Sequence, residues 1–278
     1  MKLLKAAKIW IDYHEANSKK NTIRVYRGTI SKFVKHFNGR DLDTINSDNV
    51  LCFLNDLTND RKQQTKKIRY SHLNAFFNFA RININPELKN PCDNPLIRKI
   101  FRANTPSRCE ILEKETVDEI IFRTLKTRNR LILELMARGG MRIGEVLKLR
   151  KCDIQDRKLI LQEPKSGKEQ EFVFIPQKVA DRLKSYANSF CKQSTDRVFP
   201  ISYEASRIMV LKAGNMVEIK LRPHDLRRHS ATYASREGLP IEIVSKVILR
   251  HVNLSTTQRY LGKVSDTEAI RWIENLYG

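Results

Sequence analysis

The sequence predicts a mainly α-helical protein with one small antiparallel β-sheet, divided into two domains. Three observations favour this fold class. Apolar residues recur at helical spacing along most of the 278 residues. Strand-like apolar runs occur clearly only within residues 158–176. A basic stretch with several prolines, near residues 84–106, separates two helical regions and is typical of an interdomain linker.

The first helical region, residues 1–83, is predicted to form a compact module of four short helices. Ile23, Tyr26, Ile30 and Phe33 recur every three or four positions, so a helix would place them on one face. Ser47 is positioned to cap the third helix. Prolines then interrupt regular structure in the predicted linker. They are Pro86, Pro91, Pro95 and Pro106.

The second region, residues 107–278, is predicted to combine helices with one β-hairpin. Helical patterns cover residues 113–126 and 129–138. Two apolar runs, residues 159–161 and 172–175, flank a polar turn and are typical of paired strands. Helical patterns resume at residue 177 and continue to the end of the chain.

The charge balance points to a polyanionic partner. The formal net charge is +21 and the isoelectric point is near 9.9. Residues 1–105 hold 20 Lys and Arg against 9 Asp and Glu, and residues 106–278 hold 32 against 22. The net charges of the two parts are therefore +11 and +10. Nucleic acid is the first candidate and an anionic membrane surface the second, and both parts are expected to face the partner.

Other sequence features argue against a membrane or secreted protein. No apolar run approaches the roughly 20 residues that a spanning helix needs. Lysines interrupt residues 1–8 too often for a signal peptide. The five cysteines are scattered and form no Cys-x-x-Cys pair, so zinc and a disulfide framework have little support. We expect a reducing, cytoplasmic environment.

Two pairs of polar residues are candidates for binding an anion. Arg142 and Glu145 are three residues apart, so they would share a helical face, with the arginine on a phosphate oxygen. A surface ion pair is the alternative interpretation. His224 and Arg227 have the same spacing after Pro223, at the expected start of a helix, where anions bind well. A capped, solvated helix would fit equally well.

Three further residues are candidates for catalysis. Lys165 lies at the tip of the predicted hairpin, where lysines are usually only solvated but where an ammonium can also act as a general acid. His251 and Tyr260 flank Ser255-Thr256-Thr257. A lone tyrosine more often belongs to a core or a surface. Its phenol has an ordinary pKa near 10 and becomes a nucleophile only beside cations or a base.

Together and in order, these residues resemble the signature of the tyrosine recombinase family, which includes phage integrases and Xer-type enzymes. Residues 140–149 resemble the family's first-arginine box, residues 223–232 its His-x-x-Arg box, and residues 249–260 its nucleophile box. The resemblance covers residues 110–278, and the preceding helices fit the family's core-binding domain. The matching residues are Arg142, Lys165, His224, Arg227, His251 and Tyr260.

The resemblance implies a fold and an activity. The fold would be a helical, SAM-like core-binding domain over residues 1–83, a linker over 84–106, and an α+β catalytic domain of the DNA breaking-rejoining type over 107–278. The activity would be site-specific recombination through a 3′-phosphotyrosyl intermediate, for integration and excision or for Xer-type dimer resolution. Neither a metal nor another cofactor is expected. The implied partners are double-stranded DNA with a specific core site and three further copies of the chain, acting through a Holliday junction.

The resemblance also assigns roles. Arg142 and Arg227 would bind the scissile phosphate, with Glu145 supporting Arg142. Tyr260 would attack phosphorus, and Lys165 would protonate the departing 5′ oxygen. His224 would accept the phenol proton and His251 would donate a hydrogen bond to the phosphate. The catalytic residues that the resemblance implies are therefore Arg142, Lys165, His224, Arg227, His251 and Tyr260.

Some features depart from the family pattern or leave alternatives open. Arg250 stands where the family commonly has glycine, and little consequence is expected because the histidine and tyrosine keep their spacing. Lys168 competes with Lys165 for the lysine role. Ser265 and Glu268 predict a capped C-terminal helix that packs on its own domain or on a neighbouring subunit. A type IB topoisomerase and a non-catalytic DNA-binding protein are the rival functions.

Overall fold

The computed structural model describes residues 1–102, 111–162, 169–261, 270 and 273–275. The chain divides into two compact units, Met1–Thr105 and Pro106–Gly278, and each has a hydrophobic core of its own. No helix in the described part is both long and apolar enough to cross a membrane.

The first unit is helical throughout its regular structure. A 3-10 turn, Leu42–Thr44, lies between its second and third α-helices. The helices are α1 Leu3–Asn17, α2 Lys20–His36, α3 Ser47–Thr58, α4 Gln63–Asn83 and α5 Pro95–Ile100.

Aromatic side chains fill the core of this unit. Trp10 of α1 packs edge-on against Phe76 of α4, with ring centroids 5.5 Å apart. Phe33 of α2 meets Phe53 of α3 in the same way at 4.9 Å. All four side chains are buried, so the apolar faces predicted from the sequence meet in one core.

The cap of α3 differs by one residue from the prediction. The Asn46 side chain accepts the backbone N–H of Asn49, whose own side chain accepts the N–H of Asn46. Ser47 is already the first helical residue, and its hydroxyl donates to the Pro91 carbonyl at 2.9 Å. Asparagine caps a helix as well as serine does, so a cap one residue earlier is equally favourable.

The segment predicted as a linker, residues 84–106, is more ordered than its prolines suggest. It contains α5, and Leu88, Cys92, Ile97 and Phe101 are buried in the core of the first unit. Pro95 occupies the first turn of α5, where the missing N–H has no intrahelical acceptor to lose. Proline here starts a helix, and the described part of the segment packs as part of the first unit.

The second unit combines helices with a three-stranded sheet. Its helices include a short π-helical segment, Val244–Ile248. The strands are β1 Ile154–Gln155, β2 Lys158–Gln162 and β3 Gln170–Phe174. The α-helices are α6 Lys114–Arg123, α7 Thr127–Ala137, α8 Ile143–Val146, α9 Gln177–Phe190, α10 Tyr203–Asn215, α11 Pro223–Arg236, α12 Ile241–Ile243 and α13 Leu254–Leu261.

The sheet is antiparallel in the order β1-β2-β3, and Ile160 pairs with Phe172. Leu159, Leu161 and Val173 point into the core, which follows from the alternation of side chains along a strand. The predicted hairpin strands β2 and β3 are present, and β1 is an additional two-residue strand that is too short to give a periodic signal.

Helix α7 is the central element of this unit. Its residues 131–137 are all buried, and α9 and α11 pack against it. A helical segment that is buried on all sides is expected at the middle of a core, and its charged residue, Glu134, pairs with Arg182. This packing fixes α11, which carries His224 and Arg227, relative to the turn that follows α7 and leads to Arg142.

Candidate active site

A cleft of about 990 Å³ in the second unit contains most of the residues singled out from the sequence. Its walls come from the start of α8, from α10, from the start of α11 and from the segment before α13. Arg142, His224, Arg227 and His251 all line it, although up to 109 positions separate them along the chain. Arg250 lines it as well.

Arg142 precedes the first residue of α8, where Glu145 binds it at two points. The backbone N–H of Arg142 donates to Glu145 Oε2 at 2.8 Å, and its Nη1 donates to Oε1 at 2.6 Å. Burial would raise the pKa of the Glu145 carboxyl, but the charges of Arg250 and Arg142 and the backbone N–H of Arg142 hold that pKa below its usual value. Arg142 lines the cleft and the Glu145 carboxyl is nearly buried beside it, so the two do not form a surface ion pair.

Arg227 is the most enclosed charge of the cleft, with 1% of its surface exposed. Its guanidinium donates to the carbonyl oxygens of Gly140 and Leu249. Gly140 has φ +60°, a conformation that glycine adopts without strain. The turn before Arg142 and the end of the π-helical segment thus hold the second arginine in place.

His224 lies one residue after the start of α11 and faces the same cleft. Burial lowers the pKa of its imidazole, and the nearby charges of Arg228 and Arg227 lower it further. A neutral imidazole is favoured there, and one of its nitrogens can then accept a proton.

His251 is fixed by a chain of hydroxyl groups. Its Nδ1 lies 3.0 Å from Thr257 Oγ1, which is 2.8 Å from Ser245 Oγ. Its backbone N–H donates to the Ser245 carbonyl at 2.9 Å. Burial, followed by the charges of Arg227, Arg142 and Arg250, lowers the pKa of His251 to about 4. The ring is therefore neutral at neutral pH.

Arg250, which the sequence marked only as a departure from the family pattern, belongs to the site. It has φ +51°, a left-handed conformation that costs a non-glycine residue about 1–2 kcal/mol. Its side chain is 3% exposed and donates to Glu145 Oε2 at 2.8 Å and to the Gly140 carbonyl at 3.3 Å. Its Nε faces Glu171 Oε2 at 3.6 Å.

Glu171 is the other site residue that the sequence interpretation missed. It lies on β3, is 7% exposed, and shares the inward-facing register of Val173. A carboxylate at a core-facing strand position needs a buried cation, so the alternation of the strand was a usable signal. The cation that answers it, Arg250, is 79 residues away in the sequence.

For two of the predicted catalytic residues, Tyr260 and Lys165, the structure gives no side-chain position. Tyr260 lies in α13, which packs on α11 and on the π-helical segment, and only its backbone is among the described features. Lys165 and its alternative Lys168 lie outside the described residues, as do Ser265 and Glu268. Their roles stay predictions from the sequence.

The arrangement is suited to holding a phosphate group. Three guanidinium groups converge where burial makes electrostatic attraction strong, and two neutral histidines lie beside them. No cluster of three or more His, Cys, Asp or Glu able to hold a metal occurs in the described part of the chain.

Family profiles match most of the chain. The profile of the phage integrase family matches residues 110–265, and that of the phage integrase N-terminal SAM-like domain matches residues 10–82. A tyrosine recombinase of Thermosipho africanus is 28% identical over 98% of this chain and 99% of its own length. The tyrosine recombinase XerA of Thermococcus kodakarensis is 28% identical over 86% of this chain and 84% of its own length.

Solved structures share the fold. The Tn1549 transposon integrase in complex with transposon right end DNA matches with a TM-score of 0.76 at 16% identity, over 100% of both chains. A lambda integrase dimer bound to a COC′ core site matches with a TM-score of 0.76 at 17% identity, over 96% of this chain and 98% of that one. A lambda integrase tetramer bound to a Holliday junction matches with a TM-score of 0.75 at 18% identity, over 96% of this chain and 80% of that one.

Proposed function

The chain belongs to the phage integrase family of tyrosine recombinases, and we propose that Tyr260 is the residue with which this site-specific recombinase cuts and rejoins DNA. The observation that carries the proposal is the cleft itself. Arg142, Arg227, His224 and His251 converge in one basic depression, and the helix that contains Tyr260 begins three residues after His251.

The proposed cleavage step exchanges one phosphodiester bond for another. The Tyr260 oxygen attacks the phosphorus and forms a 3′-phosphotyrosyl bond, while the bond from phosphorus to the 5′ oxygen breaks. His224, neutral for the reasons given above, accepts the phenol proton. Lys165 gives a proton to the departing 5′ oxygen. Because the bond energy is conserved in the phosphotyrosyl link, strand rejoining needs no ATP.

The arginines stabilise the transition state. Arg142 and Arg227 bind the nonbridging oxygens, whose negative charge grows as the fifth bond to phosphorus forms. His251 donates a hydrogen bond to one of these oxygens. Both arginines are fixed before DNA arrives, by Glu145 and by the Gly140 and Leu249 carbonyls, so little reorganisation is required.

The proposed partners follow from charge and from the related structures. The net charge of +21 suits double-stranded DNA. Lambda integrase has been seen as a dimer on a core site and as a tetramer on a Holliday junction. We propose a specific core site and a tetramer on DNA for this chain too, with the first unit as core-binding domain, the second as catalytic domain, and a cytoplasmic location.

A pool of nicked suicide duplexes with a randomised core tests the proposal. Cleavage next to the nick releases a short strand and traps the enzyme on DNA, so covalent adducts can be recovered and sequenced. We expect adducts with the parent chain and none with Tyr260→Phe, whose DNA affinity should stay within about twofold because only one oxygen is removed.

Tyr186→Phe is the matched control, because it removes a phenol oxygen from α9, outside the cleft. It should form adducts like the parent. Adducts of normal yield with Tyr260→Phe would refute the nucleophile. Strand exchange between two duplexes then separates a recombinase from a type IB topoisomerase, which relaxes DNA without exchanging partners.

A further inference from the structure

We propose that Arg250 is a positioning residue that orients Arg142 through the shared carboxylate of Glu145. The inference rests on the proposed function, since Arg142 matters only if a phosphate binds there. Arg250 itself is nearly enclosed, whereas 31% of the Arg142 side chain is exposed in the cleft. Arg142 can therefore meet the DNA, whereas the charge of Arg250 is directed to the carboxylates of Glu145 and Glu171.

The geometry divides the Glu145 carboxylate between the two arginines. Oε1 accepts the Arg142 Nη1 at 2.6 Å, and Oε2 accepts the Arg250 Nη2 at 2.8 Å. Oε2 also accepts the Arg142 backbone N–H at 2.8 Å. Arg142 thus contacts both oxygens by itself, and Arg250 adds a second charged donor on Oε2 that ties the carboxylate to the segment before α13. We infer that this added contact narrows the directions open to the Arg142 guanidinium.

The charges explain why a second arginine helps the first. With Arg250 absent, Glu145 would pair with Arg142 alone and would cancel much of its attraction for a phosphate. Arg250 draws on the same carboxylate and on Glu171, whose Oε2 lies 3.6 Å from its Nε. This group of five charges has three arginines and two glutamates, so one positive charge is in excess and available to the anion. The five are Arg142, Arg227, Arg250, Glu145 and Glu171.

The backbone conformation of Arg250 agrees with a role for its side chain. A left-handed φ of +51° favours glycine, yet this chain holds a large cation there and buries it. Two carboxylates, one from the start of α8 and one from β3, offset the cost of that burial. Arg250 thus connects strand β3, through Glu171, with Arg142, through Glu145.

Cleavage kinetics test the proposal on a suicide duplex taken from the randomised pool. Arg250→Gly suits the backbone conformation and removes only the side chain. We expect adduct formation to slow by about 10- to 100-fold, the usual cost of losing a residue that orients a site group. DNA affinity should change by less than about threefold, and Arg250→Lys, which keeps the charge, should recover part of the rate.

Arg182→Ala is the matched control for broken ion pairs. Arg182 pairs with buried Glu134 at 2.6 Å, away from the cleft. Its loss should lower the melting temperature and leave the cleavage rate unchanged. If Arg182→Ala slows cleavage as much as Arg250→Gly, or if Arg250→Gly cleaves like the parent, the positioning role is overturned.

Coupling to Arg142 separates positioning from general support of the fold. Arg142→Lys leaves a cation that Glu145 can still bind and should keep measurable activity. If Arg250 acts through Arg142, the double variant Arg142→Lys, Arg250→Gly should be within about threefold of the slower single variant. Rate losses that multiply would show that Arg250 acts by another route.

A measurement without DNA tests the contact between Arg250 and Arg142 separately from the proposed reaction. In side-chain ¹⁵N–¹H spectra, a guanidinium held by Glu145 rotates slowly and gives separate Nη signals. We expect the separate Nη signals of Arg142 to be lost in the Arg250→Gly variant. In the Arg182→Ala variant the separate Nη signals of Arg142 should remain. Unchanged Arg142 signals would refute the positioning role, whereas a parent chain that forms no adduct would refute only the proposed function.

Discussion

Single residues in the cleft owe their chemistry to neighbouring charges. His251 shows the effect most clearly, because burial and then the charges of three arginines lower its pKa to about 4. His224 is shifted in the same direction, by burial first and then by Arg228 and Arg227. A bound phosphate would bring negative charge and raise the pKa of His251, the proposed hydrogen-bond donor, so DNA binding and proton uptake at this ring are expected to be linked.

The first prediction concerns acid stability. In the unfolded chain His251 regains its ordinary pKa near 6.5, so protons bind that state first as the pH falls. The stability contributed by the neutral ring is complete above about pH 6.5 and is lost between about pH 6.5 and 4. Urea unfolding of His251→Gln across this window should show a weaker loss than the parent. If the free energy of unfolding fell equally with pH in both proteins, the lowered pKa of His251 would be contradicted.

At the level of elements, the turn between α7 and α8 determines where three arginines meet. Gly140 has φ +60°, and its carbonyl accepts from both Arg227 and Arg250. A Cβ at this position would lie 2.7 Å from Ile248 Cγ2 and 2.8 Å from the Ile248 carbonyl oxygen. The turn therefore packs directly on the π-helical segment, with no room for a side chain.

The second prediction compares Gly140 of this turn with Gly144, the second residue of α8. Gly140→Ala should lower the free energy of unfolding by at least about 1–3 kcal/mol and slow cleavage, because the carbonyl that holds Arg227 must move. Gly144→Ala, where no atom lies within 4 Å of the new Cβ, should be neutral or stabilising by up to about 1 kcal/mol. Urea unfolding measures both, and equal effects would exclude the steric explanation.

The third prediction concerns the residues between β2 and β3. If Lys165 is the general acid, Lys165→Ala should slow cleavage of normal DNA. A substrate with sulfur at the bridging 5′ position has a leaving group that needs no proton, so it should restore the rate. Lys168→Ala should behave like the parent on both substrates. Rescue confined to Lys168→Ala would exchange the roles, and rescue of neither would move the acid role to His224.

For the whole molecule, the distribution of charge matters more than its total. Residues 1–105 and 106–278 carry net charges of +11 and +10, although the second part is much longer. Each of the two compact units has its own core. Both units are therefore expected to be stably folded and to contact DNA phosphates.

The fourth prediction is a steep salt dependence of DNA binding to which both units contribute. Each neutralised phosphate adds about −0.9 to the slope of log affinity against log salt concentration. The full chain should give a steeper slope than either unit, and both units should bind at low salt once circular dichroism shows that they are folded. Residues 1–105 without affinity for DNA at low salt would contradict the prediction.

Much of the fold was accessible from local patterns. The helices predicted over 113–126 and 129–138 correspond to α6 and α7, and the predicted hairpin strands correspond to β2 and β3. Periodicity reports such elements because each repeats one face several times. It could not report β1, which has two residues, or α5, which begins at one of the prolines that together resemble a linker.

The sequence alone also predicted the chemistry of the site, because the order of Arg142, His224, Arg227 and His251 resembles the signature of the tyrosine recombinase family. Only the tertiary structure decided how these residues are held. Arg250 meets Glu145 and Glu171 across 105 and 79 positions, and no local pattern relates residues so far apart. A buried charge is stable only where the fold brings its partners to it, so the role of Arg250 follows from packing.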